Sequence, residues 1–226
     1  MAVRPVVRIL AFGDSLTEGW CDFGTKFHPY TRKLQTLIQS LSKSVDVVNR
    51  GVSGERTDQM SDRLPLVLNR DGPFDLVIIL GGTNDLGLSL NKDGEPLFRR
   101  LRSLHELALR YSPLSVAVTI PETGYEAMDR FTAVKEKRLQ VNALLKKYVK
   151  DCGGKMILSD LSAKLPRESL SHEDRRKFWE DDLHFTPAGY DRMGEIIFED
   201  IKHCFIESEE TRSRLFDQST SFRTLP

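Results

Sequence analysis

The 226-residue sequence predicts an α/β fold: an open, doubly wound, three-layer α/β/α arrangement around a five-stranded parallel sheet. Three observations lead there. Short apolar runs alternate with longer segments of helical period, the alternation begins with a strand, and the first three runs end in polar turns that carry glycine.

The runs, in order, are Val6 to Phe12, Val45 to Val48, Phe74 to Leu80, Ser115 to Ile120 and Met156 to Leu158. Their continuous apolar character suits strands covered on both faces, hence a parallel sheet between helix layers. After the first run, Pro29 stands where a first-turn proline is tolerated, and Tyr30, Leu34, Leu37, Ile38 and Leu41 form one apolar stripe. After the third, Leu97, Leu101, Leu104, Ala108 and Tyr111 repeat at steps of three and four, with Arg99, Arg100 and Arg102 turned elsewhere. Val134, Val141, Leu145 and Tyr148 gather on one side of the next helix. The last helix opens with Thr186 as cap and Pro187 at the first position, and closes near Phe205. Right-handed crossovers then give a sheet of the flavodoxin kind, in which ligands meet the loops at the carboxyl ends of the strands.

One domain over residues 1–206 is expected, because no composition break divides that stretch. Residues 207–226 are rich in serine, threonine and charge and read as a poorly ordered tail, with a short docked helix around Leu215 and Phe216 as the alternative. Thirty-three basic residues balance thirty-three acidic ones, so no global field draws nucleic acid or an anionic membrane. No window approaches the roughly 18 apolar residues of a spanning helix, and the N-terminus runs into a turn rather than a cleavage site. Cys21, Cys152 and Cys204 lie far apart and form no CxxC pair, so neither a disulfide framework nor a zinc site is indicated. The expectation is a cytoplasmic protein without metal or cofactor that acts on a small molecule.

The strand ends carry the chemistry. The first is followed by Gly13-Asp14-Ser15, the second by Asn49-Arg50-Gly51-Val52-Ser53-Gly54 and the third by Gly81-Gly82-Thr83-Asn84-Asp85, while Asp181-Asp182-Leu183-His184 precedes the last helix. A serine needs a base to take its proton, and the base needs an acceptor that orients it. Two residues separate Asp181 from His184, so carboxylate and imidazole can meet within one turn of chain. A tetrahedral intermediate also needs donors, for which Gly51, the Asn84 amide and the Ser15 N–H are suited. Glycine-rich turns also cradle phosphates, yet GxGxxG and GxxxxGK[ST] are both missing, and Asp14 and Glu18 would repel a phosphate.

Four segments, GDSLTEG, NRGVSGE, GGTNDLG and DDLH, resemble in order the sequence blocks of the GDSL or SGNH hydrolase family. The resemblance covers about the first 205 residues. It implies an SGNH hydrolase fold, ester hydrolysis without a metal, Ser15 as nucleophile, His184 as base and Asp181 as its orienter. The oxyanion hole it implies is Ser15 N–H, Gly51 N–H and the Asn84 amide. The family includes esterases, lipases, carbohydrate deacetylases and thioesterases. The reaction expected is therefore cleavage of small carboxylic esters through an acyl-enzyme, with sugar deacetylation, thioester cleavage and non-catalytic binding as alternatives.

Each residue also has a bland reading. Ser15 in isolation fits a helix N-cap, and Asn84 another. Asp14 and Asp85 suit the shaping of their turns. Asp182 is expected to face water, and Arg50 and Arg56 to be solvated. His28 reads as a loop residue, His105 as lying toward solvent or the core margin, His172 as part of a charged segment, and His203 as a cation at a helix C-terminus. Trp20 and Phe23, with Phe27 and Tyr30, are candidates for a pocket wall near the serine, against a packing role for the last two.

Overall fold

The computed structural model describes residues 6–88, 91–128 and 131–206; the predicted tail at 207–226 lies outside them. Strands β1 (Val7–Gly13), β2 (Val45–Gly51), β3 (Leu76–Leu80), β4 (Leu114–Val118) and β5 (Met156–Ser159) pair in the order β2-β1-β3-β4-β5, all parallel. This is the order of an open sheet whose direction of travel reverses beside β1, so the turns after β1, β2 and β3 are neighbours.

Nine helices are defined among the described residues: α1 (Ser15–Glu18), α2 (Tyr30–Ser40), α3 (Thr57–Asp71), α4 (Thr83–Leu86), α5 (Glu95–Tyr111), α6 (Thr132–Asp151), α7 (Leu161–Lys164), α8 (His172–Phe178) and α9 (Pro187–Ile201). The two-residue period of β1 divides its side chains between two cores. Ile9 and Ala11 pack with Leu34, Ile38, Met193 and Ile197 of α2 and α9, whereas Leu10 and Phe12 pack with Met60, Leu64, Leu101 and Leu104 of α3 and α5. Leu34 and Ile38 have no exposed surface, and burial of each contributes about 1.5–3 kcal/mol. Their spacing of four places both on one side of α2.

Each predicted strand is present, with shifted ends. β2 runs three residues beyond Val48 because Asn49, Arg50 and Gly51 continue the ladder opposite Ala11, Phe12 and Gly13. It is an edge strand and only half covered, which is why polar residues are tolerated there. Phe74 is buried but precedes β3, and Ile120 is buried beyond the end of β4. The cap at Thr186 is formed as expected, its Oγ1 accepting the Gly189 N–H at 3.1 Å with Pro187 at the first helical position. His105 differs from expectation. It is fully buried on α5, with Nδ1 2.8 Å from Ser115 Oγ, and desolvation lowers its pKa to about 3, which keeps it neutral.

No described helix is long and apolar enough to cross a membrane.

Candidate active site

The turn after β1 divides its labour between two adjacent residues. Asp14 takes the N-cap of α1, its Oδ1 accepting the Leu16 N–H at 3.0 Å, while its backbone carbonyl accepts from Thr17 and Glu18. Ser15 is the first helical residue, so its hydroxyl has no capping duty. Gly19, at φ 87°, ends the four-residue helix in the left-handed region. Asp14 is inaccessible to solvent. Burial, opposed by the Leu16 N–H and helped by the nearby Asp85 and Glu55 carboxylates, raises its pKa to about 7.

The loop before α9 delivers the other side chains. His184 Nε2 lies 3.2 Å from Ser15 Oγ, across a sequence separation of 169 residues, and His184 Nδ1 lies 3.0 Å from Asp181 Oδ2. Asp181 Oδ1 accepts the N–H groups of Leu183 and His184, both at 2.6 Å, which folds the four residues into one compact turn. Burial alone would raise the pKa of Asp181. The bonds from His184 and from the two backbone N–H groups outweigh it and hold the carboxyl at about 2, so it is ionised at neutral pH. Its rival Asp182 is half-exposed and pairs with Arg167 Nη2 at 2.6 Å, so it is bound in an ion pair rather than simply hydrated.

Trp20 stands in a two-residue antiparallel ribbon, Trp20–Cys21 against Lys26–Phe27. Its ring lies against the His184 ring, centroids 3.9 Å apart and tilted 34°, which limits the movement of the imidazole. Phe23, at the ribbon's tip, is 80% exposed, and its N–H donates to Glu180 Oε1 at 3.1 Å. Of the expected pocket-wall residues, Trp20 is thus brought against the imidazole, while Phe23 stands largely in solvent. Phe27 is exposed and Tyr30 belongs to the core.

Of the predicted oxyanion donors, Gly51 is otherwise engaged. Its N–H donates to Asn49 Oδ1 at 2.9 Å, and a Cβ at this position would lie 2.1 Å from Glu18 N. The glycine at 51 is needed because the backbone of α1 passes directly over it. Three residues on, Gly54 has φ 77°, no atom within 4 Å of a built Cβ, and an N–H that no acceptor among the described residues takes. Both glycines lie in the same NRGVSGE segment, and the sequence does not distinguish them. The difference lies in the Asn49 side chain, which takes the Gly51 amide and leaves that of Gly54 free among the described residues.

Asn84 Nδ2 donates to Glu55 O at 2.9 Å, which fixes the amide beside Gly54 and leaves its second proton available. Asp85 shapes this turn as expected, accepting from Thr57 N–H at 3.0 Å, Thr57 Oγ1 at 2.6 Å and Arg100 Nη2 at 3.2 Å. Arg63, which the sequence did not single out, ties the turns together. From α3 it pairs with Glu55 through Nε at 2.6 Å and through Nη2, while Nη1 and Nη2 donate to Arg50 O at 2.9 Å and Gly13 O at 3.2 Å. Val52 N–H also donates to Gly13 O at 3.0 Å. Arg50 and Arg56 are held by Asp71 and Asp58 at 2.8 and 3.0 Å, neither of which is part of this crevice.

An apolar cavity of about 280 Å³ opens beside Asn84 and Leu183, walled by Leu86, Tyr125, Phe131 and Val134. The aromatic residues of this wall come from the segment after β4, which carried no motif. Among the described residues no group of three or more His, Cys, Asp or Glu is arranged to hold a metal ion.

Several solved structures share this fold. A lipase/acylhydrolase from Enterococcus faecalis superposes with a TM-score of 0.69 at 24% identity, over 88% of this chain and 96% of the other. A family 3 carbohydrate esterase from Clostridium thermocellum gives 0.68 at 21%, over 89% and 98%. An acetylxylan esterase from Geobacillus stearothermophilus gives 0.66 at 20%, over 89% and 97%. No curated protein matches the chain by sequence. Residues 11–192, the span from the middle of β1 to the first turns of α9, match the GDSL-like Lipase/Acylhydrolase family, and with the four turns meeting in one crevice the chain belongs to that family.

Proposed function

We propose that the chain is a serine hydrolase that cleaves small carboxylic esters, with short acyl, acetyl or aryl groups, through an acyl-enzyme. The observation that carries this reading is the continuous relay from Ser15 Oγ to His184 Nε2 at 3.2 Å and from His184 Nδ1 to Asp181 at 3.0 Å. Ser15 Oγ attacks the carbonyl carbon as its proton passes to Nε2, and ionised Asp181 stabilises the imidazolium. The Ser15 N–H, the Gly54 N–H in place of that of Gly51, and the free proton of the Asn84 amide supply donors for the oxyanion. The C–O bond breaks, His184 returns the proton to the departing alkoxide, and water attacks the acyl-enzyme by the same path in reverse. The three free cysteines and the balanced charge suit a cytoplasmic enzyme acting on soluble small molecules. A second reading, O-deacetylation of saccharides, is favoured by the fold shared with enzymes described as acetylxylan and carbohydrate esterases.

A fluorophosphonate probe tests the nucleophile. Stoichiometric labelling of the folded protein, abolished in Ser15→Ala, is expected. Folded protein that takes no label would leave a non-catalytic binding fold. A panel of aryl acetates and acetylated xylosides then separates simple esterase from deacetylase by the ratio of kcat/KM.

A further inference from the structure

We propose that the cavity beside Asn84 is an acyl subsite built for an apolar acyl group of about six to nine non-hydrogen atoms, rather than for acetyl. This rests on the serine-hydrolase reading above and narrows its substrate class. Asn84, one of the proposed oxyanion donors, lines the cavity, and so does Leu183, the chain neighbour of the base His184, so the cavity opens next to the place where the carbonyl would be held. Its volume of about 280 Å³ corresponds to on the order of nine groups at roughly 30 Å³ each. The acetyl methyl would fill a small part of it. Leu86, Phe131, Val134 and Leu183 present hydrocarbon, and among the described residues no charged side chain lines the space.

The choice of acyl over alcohol follows from the order of events. The acyl group stays bonded to Ser15 through both halves of the reaction, so its binding stabilises both transition states. The alcohol must depart and be replaced by water before deacylation. An apolar cavity that holds a group in place helps the first and hinders the second.

The test is a series of p-nitrophenyl esters from acetate to decanoate, run beside acetates of alcohols from ethanol to octanol. Each methylene buried is expected to raise kcat/KM about fourfold, so hexanoate should exceed acetate by on the order of 10²-fold, with the gain ending near octanoate. Gly87 lines the cavity at φ −81°, a conformation any residue adopts, and a Cβ there meets nothing within 4 Å. Gly87→Leu should therefore fold and lower the octanoate-to-acetate ratio by about tenfold or more, while Val134→Ala should move the optimum to longer chains. A series that is flat or falls from acetate to hexanoate overturns the proposal. So does a dependence on alcohol length in place of acyl length, or a ratio that neither variant moves. Calorimetric titration of Ser15→Ala with sodium octanoate separates the two claims. Octanoate that binds no more tightly than acetate refutes the subsite, whereas failure of fluorophosphonate labelling refutes the nucleophile.

Discussion

The ion pair between Arg138 and Glu126 offers a sharp test of what holds the cavity wall. Arg138 lies on α6 with its side chain 2% exposed, and Glu126 follows β4 with 3% exposed. Nε and Nη2 of Arg138 each meet a Glu126 carboxylate oxygen at 2.7 Å, Nη1 donates to Ser162 Oγ at 2.8 Å, and Glu126 Oε1 also accepts the Thr123 N–H at 3.2 Å. Arg138→Met removes the cation and leaves a buried carboxylate with one backbone donor. Such an uncompensated charge costs about 3–5 kcal/mol, a large part of the roughly 5–15 kcal/mol that domains possess. At about 2–4 °C per kcal/mol for a chain of this size, the midpoint of thermal unfolding should fall by roughly 6–20 °C. Adding Glu126→Gln removes the charge but keeps an oxygen for Thr123, so the double variant should recover most of the loss. Urea unfolding followed by circular dichroism measures both. A single-variant cost under about 1 kcal/mol, or a double variant no more stable than Arg138→Met, would refute the reasoning, because burial without its partner is the whole source of the effect.

Other perturbations address the crevice itself. Asn84→Ala should lower turnover on the order of 10²-fold to 10³-fold while leaving measurable activity, as loss of one oxyanion donor does; steady-state kinetics on a chromogenic ester decide it. Gly54→Ala should remain folded at a cost of about 1–2 kcal/mol for its left-handed backbone and lose turnover. Gly51→Ala should instead fail in stability, because its Cβ would collide with Glu18 N; thermal melts of both variants distinguish the two roles. The two aspartates should bend the stability curve in opposite senses. Asp181, lowered from 3.8 to about 2, contributes stability above pH 3.8 that is lost as the pH falls through 2. Asp14, raised from 3.8 to about 7, makes the folded state hold a proton that the unfolded state releases. It therefore costs stability progressively as the pH rises from 3.8 through 7. Asp14→Asn should flatten that upper slope in pH-dependent unfolding, and a slope that persists unchanged would exclude Asp14 as its source.

Much of the fold was legible because parallel strands covered on both faces are written as unbroken apolar runs. Ile9 to Phe12 and Leu76 to Leu80 are cases in point, and the two-core division of their side chains follows from the strand period alone. The ends of β2 were less readable, since an edge strand admits Asn49 and Arg50 without penalty. The pairing of Asp181 with His184 was legible because it is local, closed within one turn. Contacts that depend on tertiary packing were not. Nothing in the helical pattern of α5 tells that Ser115 will receive the ring of His105, and nothing in α3 marks Arg63 as the residue that reaches Gly13 and Glu55. A sequence that offers both Gly51 and Gly54 does not say which amide is already taken, here that of Gly51 by Asn49.

The stacking of Trp20 on His184 has a practical side. A protonated imidazole quenches the emission of an indole in contact with it, so the charge of the base is visible as light. The chain's other tryptophan, Trp179, is enclosed against Phe185. With that second emitter changed to phenylalanine, the brightness of one ring would follow proton movement in the crevice during turnover, with no added dye.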